Sequence, residues 1–138
     1  MNKKSYILNL KICQLEHSFV YLAFAKYLRK ERVAIKKDDI KTQYIGCKDE
    51  SDIVGVVGFQ ELAENHIRFK NDYVYKKYRG KKIYSTLWKA RMSLIFMNKK
   101  VEKISAFCTK MSLPKYLKEG FIVQKINTNG ITYVTKQL

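Results

Sequence analysis

Hydrophobic positions along the chain alternate singly in some stretches and recur at helical spacing in others. Residues 4–12, KSYILNLKI, read as a short strand. Residues 14–32 place Leu15, Phe19, Leu22 and Ala23 on one face, which Phe24, Tyr27 and Leu28 widen, as in an amphipathic helix. Two β-branched and aromatic runs follow, 42–51 and 52–62, and the acidic KDESD at their junction reads as a hairpin turn. In 66–75, Ile67 and Phe69 alternate with Arg68 and Lys70, which predicts another antiparallel strand. Ile83, Leu87, Ala90, Leu94 and Met97 then predict a helix over 82–98.

The last third is shorter in period. Residues 103–109, KISAFCT, read as a strand. Residues 112–120 read as a short helix that Ser112 caps, with Pro114 in its first turn and Gly120 at its end. Residues 121–126 and 131–138 flank NTNG, whose glycine suits a hairpin. The predicted order is β-α-β-β-β-α-β-α-β-β. The strand–helix–strand unit over 66–109 needs a right-handed crossover, so its two strands should be parallel neighbours. The expected fold is α+β: one mixed, mostly antiparallel sheet with helices on both faces, forming a single domain over 1–138.

Charge changes the picture. The chain carries Lys+Arg 28 against Asp+Glu 12, a net +16, which draws anionic partners. Residues 66–100 hold eleven basic side chains and one acid, and residues 31–65 hold eight acids and five bases. The densest run is YVYKKYRGKKIYSTLW, 73–88, where an apolar strand passes through one glycine into a helix. Such a turn aims several unbonded amides at one point and adds the helix dipole, and both favour phosphate. Arg79 is suited to fork onto phosphate oxygens, and Lys81 and Lys82 raise the local potential. Solubility and helix capping are the bland reading of the same residues. Cys13, Cys47 and Cys108 are odd in number and widely spaced, with no metal-ligand or disulfide pattern, so a reduced, cytoplasmic setting is expected. No apolar run approaches the length of a membrane span, and no membrane association is expected.

The stretch YRGKKIYSTL resembles the acyl-CoA-binding motif of the GNAT superfamily of N-acyltransferases, Gln/Arg-x-x-Gly-x-Gly/Ala, which opens that family's central helix. Arg79 takes the first position. Lys82 stands where the middle glycine is usual, and Tyr84 where the last glycine or alanine is usual. SLPKYLKEGF resembles a second signature of the family, a tyrosine four residues before Gly-Phe: Tyr116, Gly120 and Phe121. The element order resembles the family's over the whole chain.

The resemblance implies acetyl-CoA as co-substrate, no metal, and transfer of the acetyl group to an amine by direct attack in a ternary complex. It implies a cleft where strands 66–75 and 103–109 splay apart. Pantetheine would pair with the backbone of Val74 and Tyr75. The pyrophosphate would take the turn at Arg79 and Gly80 and the amides of Lys81, Lys82, Ile83 and Tyr84. A positive φ at Lys82 or Tyr84 would crowd that turn. Tyr116 would protonate the leaving thiolate. The family's usual glutamate base falls near Arg68, which cannot serve; His66 is the candidate chosen, with Glu61, Glu64 and Asp72 nearby, or a water chain. Glu16 and His17 in the first helix are candidates for the acceptor site.

Arg68, Lys70, Lys76 and Lys77 would disfavour a cationic acceptor, so nucleic acid or an acidic protein surface is expected. The alternative is a non-catalytic module of the same fold that binds nucleic acid or a protein. The oligomeric state is open, a dimer included.

Overall fold

The structure is a computed structural model and describes residues 10–138. Its elements run in the predicted order: β1 Leu10–Leu15, α1 His17–Lys30, β2 Gln43–Asp49, β3 Asp52–Ala63, β4 His66–Val74, α2 Ile83–Phe96, β5 Lys103–Cys108, α3 Leu113–Lys118, β6 Ile122–Ile126 and β7 Thr132–Gln137. The 4–9 part of the strand predicted over 4–12 lies outside the described residues. A single 3-10 turn, Lys76–Tyr78, separates β4 from α2.

Seven strands form one sheet in the order β1-β2-β3-β4-β5-β7-β6. Among the described residues only β4 and β5 pair in parallel. This is the mixed, mostly antiparallel α+β sheet that the element order predicts. Helix α2 covers one face, where Ile83, Leu87, Trp88 and Ile95 pack on Val57, Phe69, Ile104 and Val134. Helix α1 lies on the other face, over Tyr44, Val56 and Tyr73.

Two helix faces differ from the pattern-based expectation. β1 continues through Leu15, which pairs with Tyr44, so α1 begins at His17 rather than at 14. Its buried stripe is Val20, Phe24, Ala25 and Leu28, while Leu22 is 85% exposed and Phe19 43%. In α2 the expected Leu94 and Met97 are exposed, and Trp88 and Arg91 are buried instead.

A bulge in β4 decides what faces the site. Val56 pairs with Tyr73 and Gly58 with Lys70, so Val57 stands opposite two residues, Asn71 and Asp72. Asn71 takes the left-handed conformation, φ 61°. The extra residue resets the alternation of the strand. Asp72 therefore joins Phe69 and Val74 on the α2 side. Gly58 is needed opposite the bulge, because a Cβ there would lie 2.6 Å from the Lys70 carbonyl oxygen.

Candidate functional site

Pairing between β4 and β5 stops at Phe69 and Ala106, although β4 runs on to Val74. Beyond that last pair the two strands diverge, and a cleft of about 450 Å³ opens between them and the start of α2. Asp72, Val74, Arg79, Gly80, Lys82, Ile83 and Tyr84 line it, with Glu31 from the end of α1 and Met111 and Ser112 from the β5–α3 turn.

The junction from strand to helix leaves several amides of α2 without a partner inside the helix. Gly80 (φ 78°) and Lys82 (φ 63°) both take left-handed backbone, and the ladder of α2 starts when the Thr86 amide donates to the Lys82 carbonyl. The amides of Ile83, Tyr84 and Ser85 precede that bond, and no side chain caps the helix. Their N–H groups and the helix dipole face a cleft lined by Lys82 and Arg79. The positive φ falls on Lys82, where a Cβ is strained, and not on Tyr84, which lies within ordinary helix.

Arg79 is engaged across the cleft. Its Nη2 lies 2.6 Å from Glu31 Oε2, its Nε donates to the Val74 carbonyl at 2.8 Å, and its guanidinium lies 5.2 Å from the Tyr73 ring centroid. The Val74 carbonyl thus points into the gap left by β5, as expected of a pantetheine partner, but Arg79 holds it. Tyr75 does not fit the expectation. Its amide donates to Val54 on the β3 side, and its carbonyl accepts from Tyr78 in the 3-10 turn, so neither group faces the cleft.

The floor of the cleft is a charged network built on the bulge. Arg91, fully buried on α2, grips Asp72 with two bonds, Nη1–Oδ1 2.6 Å and Nη2–Oδ2 2.9 Å, and gives a third from Nη1 to the Gly58 carbonyl at 2.9 Å. Its guanidinium stacks on Phe69, 3.6 Å from the ring centroid. Burial alone would favour losing the Arg91 charge, but Asp72 beside it raises the pKa, so Arg91 stays charged. The Tyr84 and Tyr116 hydroxyls both donate to Asp72 Oδ2, at 2.6 and 3.0 Å. Burial, then the Asp72 charge, holds both phenols well above the ordinary value of 10.0.

These partners settle where the predicted residues stand. Tyr84 is among the residues that line the cleft, and its hydroxyl is directed to Asp72. Tyr116 sits one layer below the lining, edge-on to Trp88 and Phe121 with centroids 4.9 and 5.0 Å away, and its hydroxyl points to Asp72. His66 is at the opposite end of β4, six residues and roughly 20 Å from Asp72 at the rise of a strand. Its Nε2 lies 2.7 Å from Ser105 Oγ, and burial with the nearby Lys103 and Arg68 charges lowers its pKa. The geometry removes His66 as base for chemistry in this cleft. Glu64 shares that distant end, paired with Lys100 at 2.6 Å, as does Glu61, which pairs with Ile67. Asp72 does line the cleft, but its oxygens are taken by Arg91 and the two tyrosines.

On the α1 side of the bulge a second chain of contacts fixes the α1–β2 loop. His17 Nε2 lies 2.6 Å from the Lys36 carbonyl, which only accepts, so this nitrogen carries the proton. His17 Nδ1 lies 3.0 Å from the Tyr44 hydroxyl, whose oxygen accepts from Asn71 Nδ2 (2.9 Å). Asp39 accepts from Thr42 and pairs with Lys70 at 3.2 Å. The sequence pattern contains no signal for Arg91 as a buried ion, since at its spacing it reads as a surface residue. Among the described residues no group of three or more His, Cys, Asp or Glu is arranged to hold a metal, and no helix is long and apolar enough to cross a membrane.

Comparison with known proteins places this geometry. A family model described as an acetyltransferase (GNAT) domain matches residues 15–137. No curated protein matches the chain in sequence. Among solved structures, an acetyltransferase from Streptococcus agalactiae superposes with TM-score 0.78 at 18% identity, covering 96% of this chain and 100% of that one. The PaiA N-acetyltransferase of Thermoplasma acidophilum, solved in complex with coenzyme A, gives TM-score 0.69 at 15% identity over 95% of this chain and 100% of its own. N-acetylglutamate synthase of Neisseria gonorrhoeae, complexed with coenzyme A and L-arginine, gives TM-score 0.74 at 10% identity over 94% of this chain and 33% of its own. At these identities the likeness is one of fold.

Proposed function

The chain belongs to the GNAT acetyltransferase family, and on that premise we propose that it moves an acetyl group from acetyl-CoA to an amine of its acceptor, by direct attack within a ternary complex. The observation that carries this reading is the uncapped start of α2 at the mouth of the β4–β5 cleft. Two relatives of the same fold are complexed with coenzyme A, which supports the choice of co-substrate.

The residues present fit such a ligand in two of three respects. The amides of Lys82, Ile83 and Tyr84, with the positive charge of Lys81, Lys82 and Arg79, suit a diphosphate. The Val74 carbonyl faces the cleft and suits an amide of the pantetheine arm once Arg79 releases it. Tyr75 offers nothing to that arm. Bound there, acetyl-CoA supplies an activated thioester.

The chain's own part is to hold the thioester beside the β4 bulge, to let a neutral amine approach, and to return a proton to the departing sulfur. Tyr116 is the proposed proton donor. Its raised pKa makes it a weak acid, so its hydroxyl has to leave Asp72 to serve. Tyr84, on the same carboxylate oxygen and at the cleft wall, is the competing donor. With Asp72 committed to Arg91, solvent is the proposed sink for the amine's proton. Neither Arg68, which lies over Phe107, nor Lys70, which pairs with Asp39, lines the cleft, so the preference for an anionic acceptor over a polyamine rests on the net charge of +16. The free thiols of Cys13, Cys47 and Cys108 are compatible with a reduced, cytoplasmic setting.

A second reading, a binding module without catalysis, draws on the engaged Arg79 and on the Tyr116 hydroxyl turned to Asp72. A thermal-shift titration with acetyl-CoA beside ADP, followed by a turnover assay for free thiol, separates the two. A ligand that binds only the folded state raises its melting point. A shift specific to acetyl-CoA with thiol release in the presence of an acceptor supports transfer. A shift equal with ADP, and no thiol release, supports the module.

A further inference from the structure

The sheet face opposite α2 is only half covered. Helix α1 packs over β2, β3 and the C-terminal end of β4 at Tyr73, and among the described residues no helix packs on this side of β5, β7 and β6. Strand registers set the side chains there in rows: Arg68 lies beside Ser105, and Phe107 beside Tyr133, which in turn faces Lys125. Lys103, two residues before Ser105, shares the face.

Three planar groups form a platform in this grid. Phe107 is 51% exposed, unusual for a phenylalanine in the middle of a sheet face. The Tyr133 ring lies 4.9 Å from it, tilted by 37°, and the Arg68 guanidinium lies 4.7 Å from its centroid. Arg68 and His66 are held in place by Ser105, which is buried beneath them. Around the platform stand Arg68, Lys103 and Lys125, and the strand residues of these rows include no carboxylate. Phe107 also follows Ala106, the last β5 residue paired to β4, so the platform borders the point where the strands part.

We propose that this face binds a single-stranded polynucleotide, with bases stacked on Phe107, Tyr133 and the Arg68 plane and phosphates neutralised by Arg68, Lys103 and Lys125. An exposed ring such as Phe107, with the half-buried Tyr133 against it, rewards partners with free π-faces, which unpaired bases have and duplexes do not. The surrounding cations, in a chain of net +16, complement the phosphates. They oppose a second copy of the chain, whose identical face would bring like charges together. The inference concerns binding alone and stands or falls independently of acetyl transfer.

The test is fluorescence anisotropy with a short labelled single strand, RNA and DNA in parallel, against a labelled duplex and inorganic polyphosphate, at several salt concentrations. The single strand should bind more tightly than duplex or polyphosphate, with affinity falling steeply with salt. A Phe107→Ala/Tyr133→Ala variant should lose about tenfold or more for the strand and nothing for polyphosphate. Arg68→Gln should weaken binding of both polyanions and flatten the salt slope by about one phosphate contact. Ultraviolet cross-linking of the unaltered protein to the strand should map to the peptides that carry Phe107 or Tyr133, which keeps the test decisive if the variant does not fold. Equal affinity for strand and polyphosphate, aromatic variants that bind as the parent does, or cross-links confined to other peptides would each overturn the proposal. So would a dimer in sedimentation that the aromatic variant dissociates, which would assign the face to a second copy.

Discussion

Arg79 and Glu31 meet across the mouth of the cleft, Nη2 to Oε2 2.6 Å, joining the start of α2 to the end of α1. The same guanidinium holds the Val74 carbonyl through Nε. Both partners are half-buried and their ion pair competes with any phosphate that would use Arg79. Glu31→Gln should therefore tighten acetyl-CoA binding about three- to tenfold, the scale of a partly exposed ion pair. Arg79→Ala should weaken it about tenfold or more. In the Arg79→Ala background Glu31→Gln should give no gain. Calorimetric titration of the four proteins checks this, and a gain that persists without Arg79 would remove the competition.

Lys82 stands at φ 63°, in a conformation that costs a residue with a Cβ about 1–2 kcal/mol. Glycine there removes the strain but loses up to about 1 kcal/mol more chain entropy on folding. Lys82→Gly should raise stability by up to about 1 kcal/mol and relax the turn for a diphosphate. Lys82→Ala keeps the strain and removes the charge, so it should lower acetyl-CoA affinity without raising stability. Urea denaturation and calorimetry on the pair distinguish strain from charge.

Asp39 gives the pH dependence. Burial would raise its pKa, but the Thr42 hydroxyl, the Lys70 ammonium and the Lys41 amide overcome that and hold it at about 2, below the ordinary 3.8. A depressed carboxylate adds stability above its unfolded pKa and loses it as pH falls toward the folded value. Asp39→Asn should cost on the order of 1–2 kcal/mol at neutral pH. Between pH 4 and pH 2 the gap to the parent should close. Urea midpoints across that range are the measurement; a gap that stays constant in acid would mean that the loss is steric.

The order of strands and helices was legible because each element carries its own period, and the parallel pairing of β4 and β5 followed from the handedness of the crossover. The tight turn into α2 was legible from Gly80, which takes left-handed backbone there. What stayed hidden depends on one inserted residue. Alternation of Ile67 and Phe69 with Arg68 and Lys70, extended without a break, puts Asp72 on the α1 side. The bulge at Asn71 moves it to the α2 side, onto Arg91, and nothing in local composition marks that step. Arg91 was illegible for the same reason, since its only rationale is a carboxylate on another element. His66 is close to Arg79 in sequence but stands at the first residue of β4, at the end of the strand away from the cleft, so it cannot act as a base there. Tyr75 failed on a finer scale: successive backbone groups of a strand face opposite neighbours, and those of Tyr75 face away from the gap.

Tyr116 and Tyr84 share Asp72 Oδ2, at 3.0 and 2.6 Å, and only Tyr84 lines the cleft. Phenylalanine at either position removes one donor and leaves the carboxylate held by Arg91, so the fold should lose only about 1 kcal/mol. If Tyr116 protonates the departing thiolate, Tyr116→Phe should lower kcat by about 10²-fold or more with acetyl-CoA affinity nearly unchanged, while Tyr84→Phe changes kcat little. The opposite pattern would transfer the role to Tyr84 and leave Tyr116 as the residue that positions Asp72. A raised phenol pKa keeps the donor protonated through the neutral range, so loss of its proton should not limit the rate there. The kcat profile of the parent should then show no fall on the alkaline side up to about pH 10, the ordinary phenol value. Single-turnover thiol release across that range, for the parent and both variants, decides which hydroxyl carries the proton.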